Sequence, residues 1–437
     1  MAIQTRARRV QANRRPGFLS KLVRSLNSCI YNAWDSYCEG DCRLKPTQIT
    51  RLGEHKYYAV DTSWLDELCM KRFWNWIVEF FPLWLAPNLI TLIGLVINLL
   101  TVLVLSNFCF SATETAPSWA YLQAAMGLFV YQTLDAIDGK QARRTNSASV
   151  LGELFDHGCD CVTQVFVTLN ICYAMQMGVE RNLVLLVVMI SIAIFYCAHW
   201  STYCTGQLRF SKFDVTEAQF IVIAILVFTA VFGPQIWSTS IFGFNLRLVG
   251  VAFAFVLSVW QLGGYLRVIL SEGVGKNGST VAGTSVLFPL FPLLAVCVPF
   301  AMIYSKSTSG VYDRNITLLC LCFGAIAAKA TNRLVIAHMS RSELELWDWI
   351  YLSPIVMILN QYYDFVIDEY KLLLLSTLYA YTSLLIFCVY ICQQFCDYLQ
   401  IHCFTLGRRV TTPSQRTAAA RSGGMCASAS RSSFKMK

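Results

Sequence analysis

The chain has 437 residues, 56% of them hydrophobic and only 14% charged, with a formal net charge of +9. A soluble domain carries about 25% charged residues, so a soluble enzyme is excluded, and nucleic acid is not among the expected partners. What remains is a polytopic all-α membrane protein in which each apolar segment must cross about 30 Å of hydrocarbon.

The net charge gathers near the ends. The first acidic residue, Asp35, comes after Arg6, Arg8, Arg9, Arg14, Arg15, Lys21 and Arg24. Residues 1–45 read as a basic cytosolic tail under the positive-inside rule, with a transit peptide or a contact with anionic headgroups as the alternatives. Residues 63–82 mix Trp64, Leu68, Phe73, Trp74, Trp76 and Phe80 with charges, the pattern of an amphipathic helix lying in the membrane interface. Pro82 and Pro87 then interrupt the chain. Ten apolar runs follow, the first from Asn88 and the others at about 118–137, 150–176, 183–204, 218–233, 247–270, 283–304, 316–338, 348–363 and 371–398.

An even number of spans puts both termini on one side, with the basic loops at Lys140–Arg144, Arg209–Lys212, Lys276 and Arg341. That side is therefore expected to be cytosolic, and the sequon at Asn315 falls on the opposite one, close to the membrane. Residues 46–400 form the expected membrane domain. Residues 401–437, rich in Ser, Thr, Ala, Gly and Arg without periodicity, are expected to be a disordered cytosolic tail. Most of the 18 cysteines sit inside apolar runs and read as small packing residues.

The chemistry concentrates between the second and third runs. Leu134-Asp135-Ala136-Ile137-Asp138-Gly139-Lys140-Gln141-Ala142-Arg143-Arg144 is followed by Leu151-Gly152-Glu153-Leu154-Phe155-Asp156-His157-Gly158-Cys159-Asp160. Asp135 and Asp138 are spaced i, i+3, and Asp156 and Asp160 are spaced i, i+4, so each pair shares one helical face. An ionised carboxylate in a spanning helix costs roughly 2.5–3.5 kcal/mol on insertion scales, and four converging would also repel one another. Mg²⁺ or Mn²⁺, one ion or two, suits such a set of hard oxygen ligands and leaves positions open for phosphate. Gly139 and Gly152 carry no side chain where a nucleotide would approach the helix backbone.

The run Asp-x-x-Asp-Gly-x-x-Ala-Arg, eight residues, Gly-x-x-x-Asp-x-x-x-Asp resembles the signature of the CDP-alcohol phosphotransferases at every specified position. Ala86-Pro87-Asn88-Leu89-Ile90-Thr91, Ala198-His199-Trp200 and the stretch Gly273–Thr280 extend that resemblance, from about residue 45 to 400, toward the eukaryotic choline and ethanolamine phosphotransferases.

The resemblance implies metal ligation by Asp135, Asp138, Asp156 and Asp160. It also implies CDP-choline, CDP-ethanolamine or both as donor, diacylglycerol entering from the bilayer as acceptor, CMP as leaving group, a homodimer, and an endoplasmic reticulum or Golgi membrane. His157, the one imidazole in the motif, is the candidate general base, with Asp160 as the competing assignment. Glu153 and Asp160 are the carboxylates in helical reach of its ring. Glu153 joins Asn88, Gly139, Arg143 and Gly152 among the substrate-contact candidates. Arg143 is suited to a bidentate phosphate contact, and Asn88 reads either as a helix cap or as a substrate contact.

A quaternary ammonium would favour an aromatic cage, for which Tyr131, Tyr196, Trp200, Tyr203, Trp260 and Tyr265 are available. Lys329 and Arg333, i, i+4 in the eighth run, require partners: either phosphate groups or, by snorkelling, the membrane edge. Ethanolamine-only or inositol transfer would use the same metal chemistry. A transporter would call for internal repeats and interrupted helices, and neither is visible.

Overall fold

The computed structural model describes residues 42–55, 59–60, 63–180, 182–209, 215–241, 243–274, 278–307 and 309–407. The basic start and most of the expected C-terminal tail lie outside the described residues, as does Lys276.

A short helix, α1 (Pro46–Gly53), precedes the interfacial segment, which comprises a π-helical turn Asp66–Met70, α2 (Lys71–Ile77) and a 3₁₀ turn Val78–Phe80. One face of this segment buries Met70, Trp74 and Val78 against Ile90, Leu134 and Ile137. The other face leaves Trp64, Leu68, Trp76 and Phe80 exposed. That division is the one expected of a helix lying on a membrane.

The ten apolar runs fold as helices: α3 (Pro87–Phe108), α4 (Ser118–Arg144), α5 (Val150–Ala174), α6 (Leu183–Thr205), α7 (Val215–Phe232), α8 (Leu246–Ser271), α9 (Leu290–Lys306), α10 (Ile316–Met339), α11 (Leu352–Tyr362) and α12 (Glu369–Leu399). Helix is the economical answer in lipid because each backbone polar group is satisfied within its own segment. Among the described residues six helices, α3, α6, α7, α8, α10 and α12, are long and apolar enough to cross a membrane. Helices α4 and α5 are of 27 and 25 residues and carry the acidic motif at their adjoining ends.

The remaining two fall short of their expected extent. α9 begins only at Leu290, and α11 has 11 residues after a 3₁₀ turn at Trp349–Tyr351. At 1.5 Å per residue, α11 covers about 17 Å, roughly half the hydrocarbon thickness. The helix starts late because Asp348 caps the preceding turn, accepting from Ile350 N–H at 2.8 Å, instead of entering a helix.

Two small ladders, β1 (Ala59–Val60) parallel to β2 (Leu208–Arg209) and β3 (Ser240–Ile241) antiparallel to β4 (Phe244–Asn245), lie outside these helices. Asn315, in the expected sequon, precedes α10 and donates its side-chain amide to Val311 O at 2.8 Å. The cysteines among the described residues are free thiols, and most are buried.

At the centre stands α10, in contact with α5, α6, α9 and α12. In its apolar window 89% of the residues are buried, against 11% in α8, so α10 is the core and α8 faces outward. Close approach of α5 and α10 depends on Gly324, where an added Cβ would stand 2.8 Å from the Val165 methyl groups. Small residues let membrane helices pack tightly where lipid offers no hydrophobic drive. Gly324→Leu is expected to destabilise the bundle by about 1–3 kcal/mol through overpacking. A thermal midpoint equal to that of the parent in the same detergent would refute this.

Candidate active site

The turn 145–149 reverses the chain so that the end of α4 lies beside the start of α5. Thr145 N–H and hydroxyl bond back to Gln141 O at 2.9 and 2.8 Å. Asn146 takes a left-handed φ of 52°, and the Ser149 hydroxyl caps α5 by accepting from Gly152 N–H at 3.2 Å. The hairpin is tied to the interfacial segment: Arg144 donates to Val78 O, and to Phe81 O at 3.2 Å, while Lys140 donates to Asn75 at 2.8 Å. These two cations therefore anchor α4 to the segment ahead of α3.

On the facing sides of the hairpin, Asp135, Asp156 and Asp160 each offer a carboxylate oxygen, all within 4.8 Å of one another. Asp160 Oδ1 accepts from the Tyr131 hydroxyl at 2.5 Å, and that hydroxyl lies 2.8 Å from Thr163 Oγ1. Asp138 stands outside the three-carboxylate group and accepts from the Thr91 hydroxyl. Oδ1 of Asp135 and Oδ1 of Asp156 are buried without a hydrogen-bond partner among the described residues. Three carboxylates this close repel strongly in a site of low dielectric. The two unsatisfied oxygens and the all-oxygen donor set thus fit a divalent cation of the hard kind.

His157, on the same helix, is 9% exposed and meets the ring of His199 edge-on at 5.6 Å. Of the two carboxylates expected beside it, Asp160 receives the Tyr131 hydroxyl. Glu153 Oε1 lies 3.0 Å from His55 Nε2. Asn88 is no helix cap, because α3 starts with Ala86 at the cap and Pro87 at the first helical position. Its amide instead donates toward Cys403 Sγ at 3.8 Å, and its Oδ1 is 3.5 Å from the place a Cβ on Gly152 would occupy. Asn88 and Gly152 are therefore neighbours across α3 and α5. Arg143 is exposed, with Nη1 3.8 Å from where Gly139 would bear a Cβ.

Five of the six candidate cage aromatics engage the protein's own polar groups. Besides Tyr131, these are Tyr196 to Pro289 O at 2.9 Å, Trp200 to Val286 O at 2.7 Å, Tyr203 to Ser342 O at 2.9 Å and Tyr265, whose hydroxyl accepts from Gln261 Nε2 at 3.3 Å. Trp260 points outward and is 65% exposed.

Lys329 and Arg333 find a counterion within the protein. Both bind Asp348: Lys329 Nζ is 2.8 Å from its Oδ1, and Arg333 donates to its Oδ2. The carboxylate arrives from the loop before α11, which the hydropathy of the α10 run alone does not reveal. Tyr131 and Thr91 were likewise not expected as carboxylate partners. The available signals were the i, i+4 spacing of Tyr131 and Asp135 and the place of Thr91 one turn beyond Asn88.

Comparison with known proteins now bears on this geometry. The family model described as CDP-alcohol phosphatidyltransferase matches residues 84–260, a stretch that contains the whole acidic motif. Cholinephosphotransferase 1 of Xenopus laevis is 46% identical over 365 residues, covering 83% of this chain and 90% of that protein. Cholinephosphotransferase 1 of Homo sapiens is 43% identical over 363 residues, covering 83% and 89%. A Dictyostelium discoideum protein named as an uncharacterized CDP-alcohol phosphatidyltransferase class-I family protein is 32% identical over 364 residues, covering 82% and 86%. With the motif, the helical bundle and these relatives in agreement, the chain is a multi-pass membrane transferase of the CDP-alcohol phosphatidyltransferase family.

Proposed function

We propose that this protein transfers phosphocholine from CDP-choline to diacylglycerol, giving phosphatidylcholine and CMP, and that CDP-ethanolamine serves as a second donor. The observation that carries the reaction class is the group of Asp135, Asp156 and Asp160, two of whose oxygens are buried and lack any partner among the described residues. The choline headgroup is supported by the relatives named cholinephosphotransferase 1.

In this reading Asp135, Asp138, Asp156 and Asp160 hold Mg²⁺ or Mn²⁺, two ions in all. When bound, such ions neutralise charge on pyrophosphate oxygens. Arg143 and the glycine-bared backbone at Gly139 and Gly152 receive the donor, with Asn88 and Glu153 as further contacts.

His157 takes the proton from the acceptor hydroxyl as its oxygen bonds to the phosphorus bearing choline, and the phosphoanhydride bond breaks to release CMP. Tyr131 and Thr91 hold Asp160 and Asp138 in place by donating to them. The protein works in an endoplasmic reticulum or Golgi membrane as a homodimer, its site near the cytosolic face. The catalytic unit spans residues 46–400 between two cytosolic tails.

The test is CMP release by purified protein in lipid, with diacylglycerol and Mg²⁺ or Mn²⁺, comparing CDP-choline with CDP-ethanolamine. Release with CDP-choline is expected in the presence of either metal, and the ratio of the two rates gives the headgroup preference. Silence with both donors would overturn the reading. His157→Ala is expected to lose about 10²–10⁴-fold in turnover, the range of a general base, while retaining CDP-choline binding by calorimetry. Full turnover in that variant would move the base elsewhere.

A further inference from the structure

Four of the chain's five histidines, His55, His157, His199 and His338, line one pocket together with Glu153 and Thr202. The pocket adjoins the acidic group, since Glu153 and His157 flank Asp156 on α5. His157 and His199 meet edge-on in it at 5.6 Å, as do His55 and His338, also at 5.6 Å. Nδ1 of His338 is buried there with no hydrogen-bond partner among the described residues. His55 and His338 both lie outside residues 84–260, the part matched by the family model.

His55 reaches this pocket because α1 is pinned across the end of α10 and against α12. Gln48 Nε2 donates to Ser342 Oγ at 3.0 Å, and Arg51 Nη1 donates to Arg341 O at 2.8 Å. Leu52 is fully buried, and a Cβ on Gly53 would stand 2.8 Å from the Tyr398 ring. One turn further, His55 N–H bonds back to Leu52 O at 3.1 Å, and the imidazole Nε2 sits 3.0 Å from Glu153 Oε1. The side chains of this pair are only 9% and 13% exposed. A carboxylate removed from water needs such a partner, and a histidine bound to it is fixed in orientation.

We propose that His55 is a positioning residue for the transfer step: α1 carries its imidazole onto Glu153 and holds that carboxylate in the pocket where His157 and His199 meet. The inference rests on the transfer reading above. It makes the segment ahead of the matched family core a working part of the enzyme, acting through Glu153 and not by touching the reacting atoms. A purely structural α1 would use the same contacts only to staple the ends of α10 and α12.

The experiment uses the full-length protein in lipid nanodiscs with CDP-choline, diacylglycerol and Mg²⁺. His55→Ala is expected to lower kcat about 10–100-fold, the usual effect of removing a group that orients an active-site residue, with KM for CDP-choline changed less than about twofold. His55→Gln, whose amide still donates to Glu153, keeps most of kcat, and added imidazole restores part of the His55→Ala loss. Glu153→Gln lowers kcat as well, and the double variant with His55→Ala is no slower than the slower single, as for residues acting as a unit.

The proposal is overturned if kcat per folded molecule of His55→Ala matches the parent while only its thermal midpoint falls, or if the two losses multiply. Should His55→Ala fail to fold, His55→Gln and Glu153→Gln carry the same comparison. An inactive parent protein would instead sink the transfer reading, so the two failures are distinct.

Discussion

Asp156→Asn, purified in lipid, is expected to release CMP at least about 10³-fold more slowly than the parent, a loss of roughly 4 kcal/mol of transition-state stabilisation. The substitution keeps the shape of the side chain and removes its charge. In the structure Asp156 shares its position with Asp135 and Asp160, all three within 4.8 Å, and its Oδ1 is buried without a protein partner among the described residues. An amide there turns an NH₂ group toward a cation in half of its orientations and lowers the negative charge that attracts one. Removing one of three mutually repelling carboxylates also relieves repulsion in the metal-free protein. The variant is therefore expected to fold at least as well as the parent without added metal and to gain less thermal stability on adding Mn²⁺. Parent-like turnover, or a parent-like gain in midpoint with Mn²⁺, would remove Asp156 from the ligand set.

The second large effect is expected in the ion network of α10. Asp348→Ala should destabilise the bundle by about 3–5 kcal/mol, because it leaves the buried Lys329 and the partly buried Arg333 without their shared counterion. Lys329 is fully buried and bonds Asp348 Oδ1 at 2.8 Å and Ser383 Oγ at 3.0 Å. Arg333 holds the other oxygen of Asp348 and reaches Glu345 at 3.3 Å. Both cations lie over the Phe387 ring, at 5.3 and 5.4 Å from its centroid. Asp348 also caps the turn ahead of α11, so its loss frees a backbone N–H besides. Replacing the inner pair together, Lys329→Met with Asp348→Leu, is expected to recover much of the loss, since Arg333 keeps Glu345. Thermal unfolding in nanodiscs checks both variants. An unchanged midpoint in Asp348→Ala would show that the network adds nothing.

The sequence disclosed the bundle and the acidic group for the same physical reason: both are written in local spacing. Apolar runs announce their helices by length, and Asp135, Asp156 and Asp160 come together because the i, i+4 period of α5 faces the end of α4 across a turn of five residues, 145–149. Features that depend on distant partners were not legible. Glu153 lies 98 positions from His55, and Thr91 lies 47 from Asp138, separations at which periodicity carries no information. Lys329 and Arg333 announced a need for counterions but not their source, because Asp348 stands in an apolar run that reads as the start of a span. The same run overstates α11, since hydropathy does not distinguish a capped turn from helix.

The way α1 is fastened has a consequence for the order in which the protein is made. Its anchors, Ser342 and Arg341, are 294 and 290 positions further along the chain than Gln48 and Arg51. At about 5–20 residues per second, ribosomal synthesis needs roughly 15–60 s to reach them. Through the later part of that interval, once Ala174 has been added, the nascent chain carries the acidic hairpin of α4 and α5 but has nothing to hold His55 over it. The pocket closes only when the end of α10 emerges, so a nascent chain stalled before that point has its acidic motif in the membrane and its strap still undocked.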